Sequence, residues 1–134
     1  MDRLQTATAP GIGRVLLSLI FIWSGFGKLM MPAATIGYIS STGLPLPEVG
    51  YALAVIVEFG GGLLLLAGLM TRWVALVLAL FWLFTAFVFH GFGDMGNQIN
   101  AMKNIAMAGG FLLVFAHGGG DFSLDAMLRA RRAV

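Results

Sequence analysis

Residues 49–71, VGYALAVIVEFGGGLLLLAGLMT, decide the fold. The stretch is 23 residues long and apolar but for Glu58, and at about 1.5 Å rise per residue it reaches across the roughly 30 Å hydrocarbon core of a bilayer as one helix. A carboxylate near the centre of such a helix costs about 2.5–3.5 kcal/mol on insertion scales. Glu58 is therefore expected to face a protein interior and to find a partner there.

The rest of the chain fits that reading. Of its 134 residues 59% are apolar and 10% charged, with a mean hydropathy of +0.92, whereas about a quarter of the residues of a soluble domain carry charge. The composition is that of an integral membrane protein of one domain, residues 1–134. The net charge is +2, and the basic residues stand at the ends of apolar segments rather than on one face, which points to membrane orientation and away from nucleic acid. The chain has no cysteine, so disulfides, thiolate nucleophiles, zinc–thiolate and iron–sulfur sites and covalent c-type haem attachment are excluded. Residues 1–11, MDRLQTATAPG, lack a strongly basic start, and no small-residue cleavage pattern closes the apolar run after them; that run is expected to be a retained span.

Hydropathy predicts four spans, at about 12–31, 49–71, 73–93 and 99–118, packed as an all-α transmembrane four-helix bundle. Pro32 stops the first, and Arg72 makes the tight turn into the third. The strictly apolar part of the fourth, 105–116, is short, which places Asn100, Lys103 and Asn104 on its first turns with Lys103 reaching to the interface. An even number of spans puts Arg3, Arg14, Arg72, Arg129, Arg131 and Arg132 on one side against Lys28 and Lys103 on the other, so both termini are expected to be cytoplasmic. The connection 32–48 reads as a short interfacial helix carrying Ile36, Tyr38 and Ile39. Beyond His117-Gly-Gly-Gly120, Asp121 or Ser123 caps a helix with an apolar side (Phe122, Leu124, Met127, Leu128) and three arginines, so 121–134 is expected to be an amphipathic juxtamembrane tail lying on the anionic leaflet. Trp23-Ser24-Gly25-Phe26 resembles Phe84-Thr85-Ala86-Phe87, and Gly61-Gly62-Leu63-Leu64 resembles Gly109-Gly110-Phe111-Leu112, a weak repeat that two parallel helical hairpins would produce. The glycines at 25, 27, 60–62, 68, 109 and 110 are expected to serve close helix packing rather than cofactor contact.

All four helices send a polar group into the same, external half: Lys28, Glu58, His90, and Lys103 with Asn104. A vestibule open to that face is the economical arrangement. For each residue a plainer role stands beside the functional one: snorkelling for Lys28, a buried structural carboxylate paired with Lys28 for Glu58, a helix-end histidine for His90. His117 lies at the opposite end of the bundle, so the two histidines cannot ligate one haem. No metal triad, phosphate-cradling loop or nucleophile elbow is present, and no metal site is expected.

RVLLSLIFIWSGFGK over 14–28, Val57-Glu58 followed by GGGLLLLAGLMTR to Arg72, a third span ending in His90, and KNIAMAGGFLLVFAHGGGDFSLD over 103–125 together resemble the DoxX family of small four-helix bacterial inner-membrane proteins. The likeness covers about nine-tenths of the chain, and its matching positions are Lys28, Glu58, Arg72, Lys103, Asn104 and Ser123-Leu124-Asp125. The family takes its name from a subunit of an archaeal thiosulfate:quinone oxidoreductase, so the resemblance implies a redox accessory role near a quinone. Glu58, Lys28 and His90 are then the candidates for chemistry, and Lys28, Glu58, His90, Lys103 and Asn104 the candidates for holding the quinone. Two other classes remain open: a non-enzymatic scaffold docking a soluble redox partner through the tail, and small-solute transport by a homo-oligomer. Membrane lipids are the one partner that all three share.

Overall fold

The computed structural model describes residues 8–91 and 93–133, and it is all-helical over them. Four helices are long and apolar enough to cross a membrane: α1, Ala9–Met30; α3, Pro47–Ala67; α4, Thr71–His90; and α5, Met95–His117. Two shorter ones join them, α2 (Pro32–Ser41) after the first span and α6 (Leu124–Arg132) after the last. The spans match the four expected from hydropathy, with shifted edges. Pro10 and Pro47 occupy first turns, where a missing N–H costs nothing, and the third span stops at His90 because Gly91 leaves the helix at φ 58°. The turn into the third span is made by residues 68–70, and Arg72 lies within α4. Arg3, counted in the charge asymmetry, lies outside the described residues, as do Phe92 and Val134.

The spans form a ring in chain order: α1 packs on α3, α3 on α4, α4 most extensively on α5, and α5 on α1. Its stripes are inverted relative to a soluble bundle. The buried positions of α1 are Gly11, Arg14, Ser18, Phe21 and Gly25, and those of α5 are Ala101, Asn104, Ala108, Phe111 and Val114, while Leu16, Leu19, Trp23, Leu113 and Trp73 face outward. Hydrocarbon solvates large apolar side chains as well as a protein interior does, so close backbone approach decides what goes inside. Gly25 shows the effect: a Cβ there would stand 2.6 Å from the backbone nitrogen of Phe59 and 2.7 Å from its Cβ. Phe21 fills the centre, edge-on to Trp82 at 5.1 Å and to Phe111 at 5.0 Å between ring centroids.

Two spans are not α-helical throughout. Ile56–Gly60 of α3 and Ala86–His90 of α4 widen into π turns, the second closed by Gly91 N–H donating to the Ala86 carbonyl at 3.2 Å. Each takes in one extra residue; in α3, where α-helix continues on both sides, this turns the part before it by about 100° relative to the part after it. They fall in α3 and α4, not at matching positions of the weak repeat.

The end of the bundle where α1 begins and α5 ends is locked by three polar groups. α3 ends in a Schellman turn, with Gly68 at φ 71°, Gly68 N–H donating to Leu65 O and Leu69 N–H to Leu64 O. Its remaining carbonyls are met by Arg14, 3% exposed, which donates to Leu65 O at 2.9 Å, Leu66 O at 2.8 Å and Phe122 O at 2.8 Å. Hydropathy makes Arg14 a flanking interfacial charge; in the fold it is an interior clamp. Asp125 accepts the N–H groups of Met70 and Thr71, both at 2.8 Å, which caps α4 and steadies Met70 at φ 51°. Of the two caps considered for α6, Ser123 is the one used: its Oγ accepts from Ala126 N–H at 3.2 Å and its hydroxyl donates to Gly120 O at 2.7 Å. The tail helix is exposed beyond that root, with Met127 and Leu128 on its surface beside the arginines.

Candidate functional site

At the opposite end the bundle opens into a cavity of about 960 Å³. α1 contributes Ser24 and Lys28, its C-cap Met31 follows, α2 gives Thr35, Tyr38 and Ile39, α3 Leu53, Val57 and Glu58, α4 Trp82, Thr85 and His90, and α5 Asn104. The π turn in α3 carries Glu58, and the one in α4 ends on His90; such turns re-aim one side chain without breaking the helix.

Glu58 finds the partner its depth demands. Lys28 Nζ donates to Glu58 Oε2 at 2.8 Å and to Ser24 Oγ at 2.9 Å. The carboxylate side chain is 5% exposed and that of the lysine 26%, so the anion lies in the wall while the ammonium leans into the open space. Tyr51 hydroxyl donates to Lys28 O at 3.2 Å, a carbonyl at the end of α1 that also accepts the Met31 N–H at 3.3 Å. A second polar pair crosses from α4 to α5, Asn104 Nδ2 donating to Thr85 Oγ1 at 3.1 Å, and the Thr85 hydroxyl donates to Trp82 O at 3.1 Å. The remaining lining is mostly apolar, with Thr35, Tyr38 and His90 as its other polar side chains. Buried Nε1 of Trp82 has no oxygen or nitrogen acceptor; the edge-on ring of Phe21 is its neighbour.

Of the five residues predicted to hold a ligand, four line this cavity: Lys28, Glu58, His90 and Asn104. Lys103 does not. It is exposed, one position out of phase with buried Asn104, and points away from the bundle as an interfacial lysine does. His117 lies at the terminal end with Nδ1 2.9 Å from Leu113 O. No group of three or more His, Asp or Glu side chains that could hold a metal ion occurs among the described residues. Ser24, Thr85, Trp82 and Tyr38 are lining residues that the sequence does not single out. Ser24 stands four residues before Lys28, one turn away on the same stripe, and that spacing is the signal that could have found it.

α2 roofs the cavity. Its Tyr38 ring stacks on Phe89 of α4 at 5.6 Å between centroids, 25° from parallel, and its hydroxyl donates to Phe89 O at 3.4 Å. On the same end, Asp94 caps α5 by accepting from Asn97 N–H at 3.0 Å and Asn97 Nδ2 at 2.6 Å; the Asn97 N–H bond holds its carboxyl below the usual carboxylate range.

The DoxX family pattern matches residues 9–91, which takes in α1 to α4 and with them Lys28, Glu58 and His90. Inner membrane protein YqjF of Escherichia coli K12 is 40% identical over 123 residues, covering 90% of this chain and 92% of its own. Inner membrane protein YphA of the same organism is 38% identical over 120 residues, covering 85% and 86%. No solved structure matches. Four membrane-spanning helices, the matched pattern and relatives of nearly equal length agree: this chain belongs to the DoxX family, as a multi-pass protein of the bacterial inner membrane.

Proposed function

We propose that the cavity binds the head group of a quinone and that the protein serves as a quinone-associated accessory subunit of a membrane oxidoreductase system. The observation that carries the reading is the Lys28–Glu58 ion pair set in the wall of a mostly apolar cavity between the membrane-spanning helices. Ligand pockets of about 300–1,000 Å³ with a few convergent polar groups in an apolar wall are the usual form of a small-molecule site, and a protonatable pair held in a span is a functional-site hypothesis by default. The donor set fits a quinone. Lys28 has spent two of its three N–H donors on Ser24 and Glu58, which leaves one for a carbonyl oxygen. Glu58, hydrogen-bonded through Oε2, has Oε1 to offer a hydroxyl. A quinone, when bound, supplies two-electron, two-proton redox chemistry; the chain itself brings a paired acid and base, an amide and hydroxyl at Asn104 and Thr85, and a mostly apolar wall around them.

Protein extracted in mild detergent is expected to carry a quinone identifiable by its absorbance and mass, and Glu58→Gln with Lys28→Met is expected to lose it. Quinone-free protein that also fails to bind an added analogue would overturn the reading. Scaffold docking is favoured by one feature, the exposed basic α6 held at a fixed angle by Ser123 and Asp125. Co-purification of a soluble protein that survives Glu58→Gln but not removal of residues 126–134 would put that reading first.

A further inference from the structure

The two sides of the cavity are not closed alike. Toward the water-facing end it is partly covered by α2, fastened to α4 through Tyr38 and Phe89. Sideways, between α3 and α4, it is not covered. These helices pack together along the Ile56–Ala67 part of α3, whereas its Pro47–Val55 part packs on α1 and α2 instead. Val49 and Leu53 of α3 and Phe84 of α4 line the cavity and are nevertheless 52%, 56% and 52% exposed. A side chain that is both wall and outer surface stands at the rim of an opening; Met31, Tyr38 and Leu46 are such residues at the α2 end, and Val49, Leu53 and Phe84 are those between α3 and α4. Leu53 stands six residues from the start of α3 and Phe84 six from the end of α4, about 9 Å inside the helix ends by rise. The opening therefore faces the membrane. Its rim is apolar, so a hydrated solute gives up hydrogen bonds there without replacement, while a hydrocarbon chain loses nothing.

We infer that the cavity is loaded laterally from the bilayer through a portal between Leu53 and Phe84, and that its ligand is a polar ring bearing a long hydrocarbon tail that stays in the portal while the ring reaches Lys28 and Glu58. The ring's identity rests on the quinone reading; the portal and the tail rest on the packing of α3 and α4.

The absence of native cysteine makes the test specific. Trp82 is kept as the sole tryptophan by Trp23→Phe and Trp73→Phe, and its fluorescence quenching is followed in vesicles with two probes at equal mole fraction in the membrane: a benzoquinone with a long isoprenoid tail, and the same ring with a methyl in place of the tail. Phe84→Cys is then labelled with a bulky apolar maleimide, with Leu19→Cys, outward on α1, labelled as control. The label at 84 is expected to weaken quenching by the tailed probe at least fivefold and that by the methyl probe less than twofold, and the label at 19 to change neither. Equal quenching by the tailed probe with and without the label at 84 overturns the portal. If neither ring quenches the unlabelled protein the quinone reading fails, and phosphatidylcholine brominated in its acyl chains replaces the probes: quenching of Trp82 that falls on labelling residue 84 upholds the portal, and quenching that is absent or indifferent to the label overturns it.

Discussion

Glu58→Ala removes the carboxylate from Lys28 and leaves its ammonium with Ser24 Oγ alone, at 2.9 Å. Breaking a buried pair by deleting one partner costs about 3–5 kcal/mol, mainly from the stranded charge. Here the stranded group is the lysine, 26% exposed and leaning into the cavity, so part of its hydration is recovered and the low end applies: about 3 kcal/mol, or a hundredfold in the folding equilibrium. Lys28→Met strands the more deeply buried Glu58, 5% exposed, and is expected to cost at least as much. The double variant leaves neither charge, and apolar replacement of a buried pair is often close to neutral; it is expected to regain most of the loss. Thermal and denaturant unfolding of the four proteins in one detergent gives the coupling energy directly. If the two single losses simply add in the double variant, the pair contributes nothing as a pair and the account of the cavity wall is wrong. If stability returns but quinone binding does not, the pair is retained for the ligand.

Gly25→Ala is expected to cost more than about 2 kcal/mol, because its Cβ would meet the Phe59 backbone, which cannot yield as a flexible side chain would; Gly27→Ala, with nothing within 4 Å, is expected to be neutral or to stabilise by up to about 1 kcal/mol, and melting in detergent separates the two. Burial raises the Asp125 carboxyl, but the N–H bonds from Thr71 and Met70 and the charge of Arg129 outweigh it and hold it below its ordinary value. Its stabilisation is therefore complete above about pH 4, the unfolded value, and is lost as pH falls through the lower folded value; protease access to residues 68–71 and 124–132 is expected to rise over that acid range and to be high at neutral pH in Asp125→Ala. The six-to-two basic asymmetry predicts cytoplasmic termini: reporters fused at Ser41 and Asn97 should read periplasm and one at the C-terminus cytoplasm, and a periplasmic C-terminus would invert the membrane side assigned to the cavity.

The four spans were legible because each is a run of apolar side chains long enough to cross, and the Glu58–Lys28 contact because Lys28 is the cation nearest in depth to Glu58 on the helix next to it in sequence. Arg14 is harder for a physical reason. Hydropathy averages around the helix and cannot tell an arginine near the end that faces lipid from one that faces inward, yet its phase with Ser18, Phe21, Gly25 and Lys28 at alternating spacings of four and three carries the answer. Lys103 is the converse case, grouped with Asn104 by proximity in sequence although neighbours on a helix point about 100° apart. The caps from Asp125 to Met70 and Thr71 join residues more than fifty positions apart, and no local pattern encodes them. The π turns were not legible at all, since an extra residue in a uniformly apolar run leaves the composition unchanged.

The Arg14 clamp has a consequence for the order in which the molecule is assembled. The guanidinium is delivered with the first span, but two of its three acceptors, Leu65 O and Leu66 O, arrive with the end of the second span, and the third, Phe122 O, after the fourth. Until then a charge that cannot be left bare in hydrocarbon holds the start of α1 at the headgroups. Final seating of the first helix therefore waits for the segment that follows the fourth span, and a chain interrupted before Phe122 is expected to keep its first span displaced toward the surface.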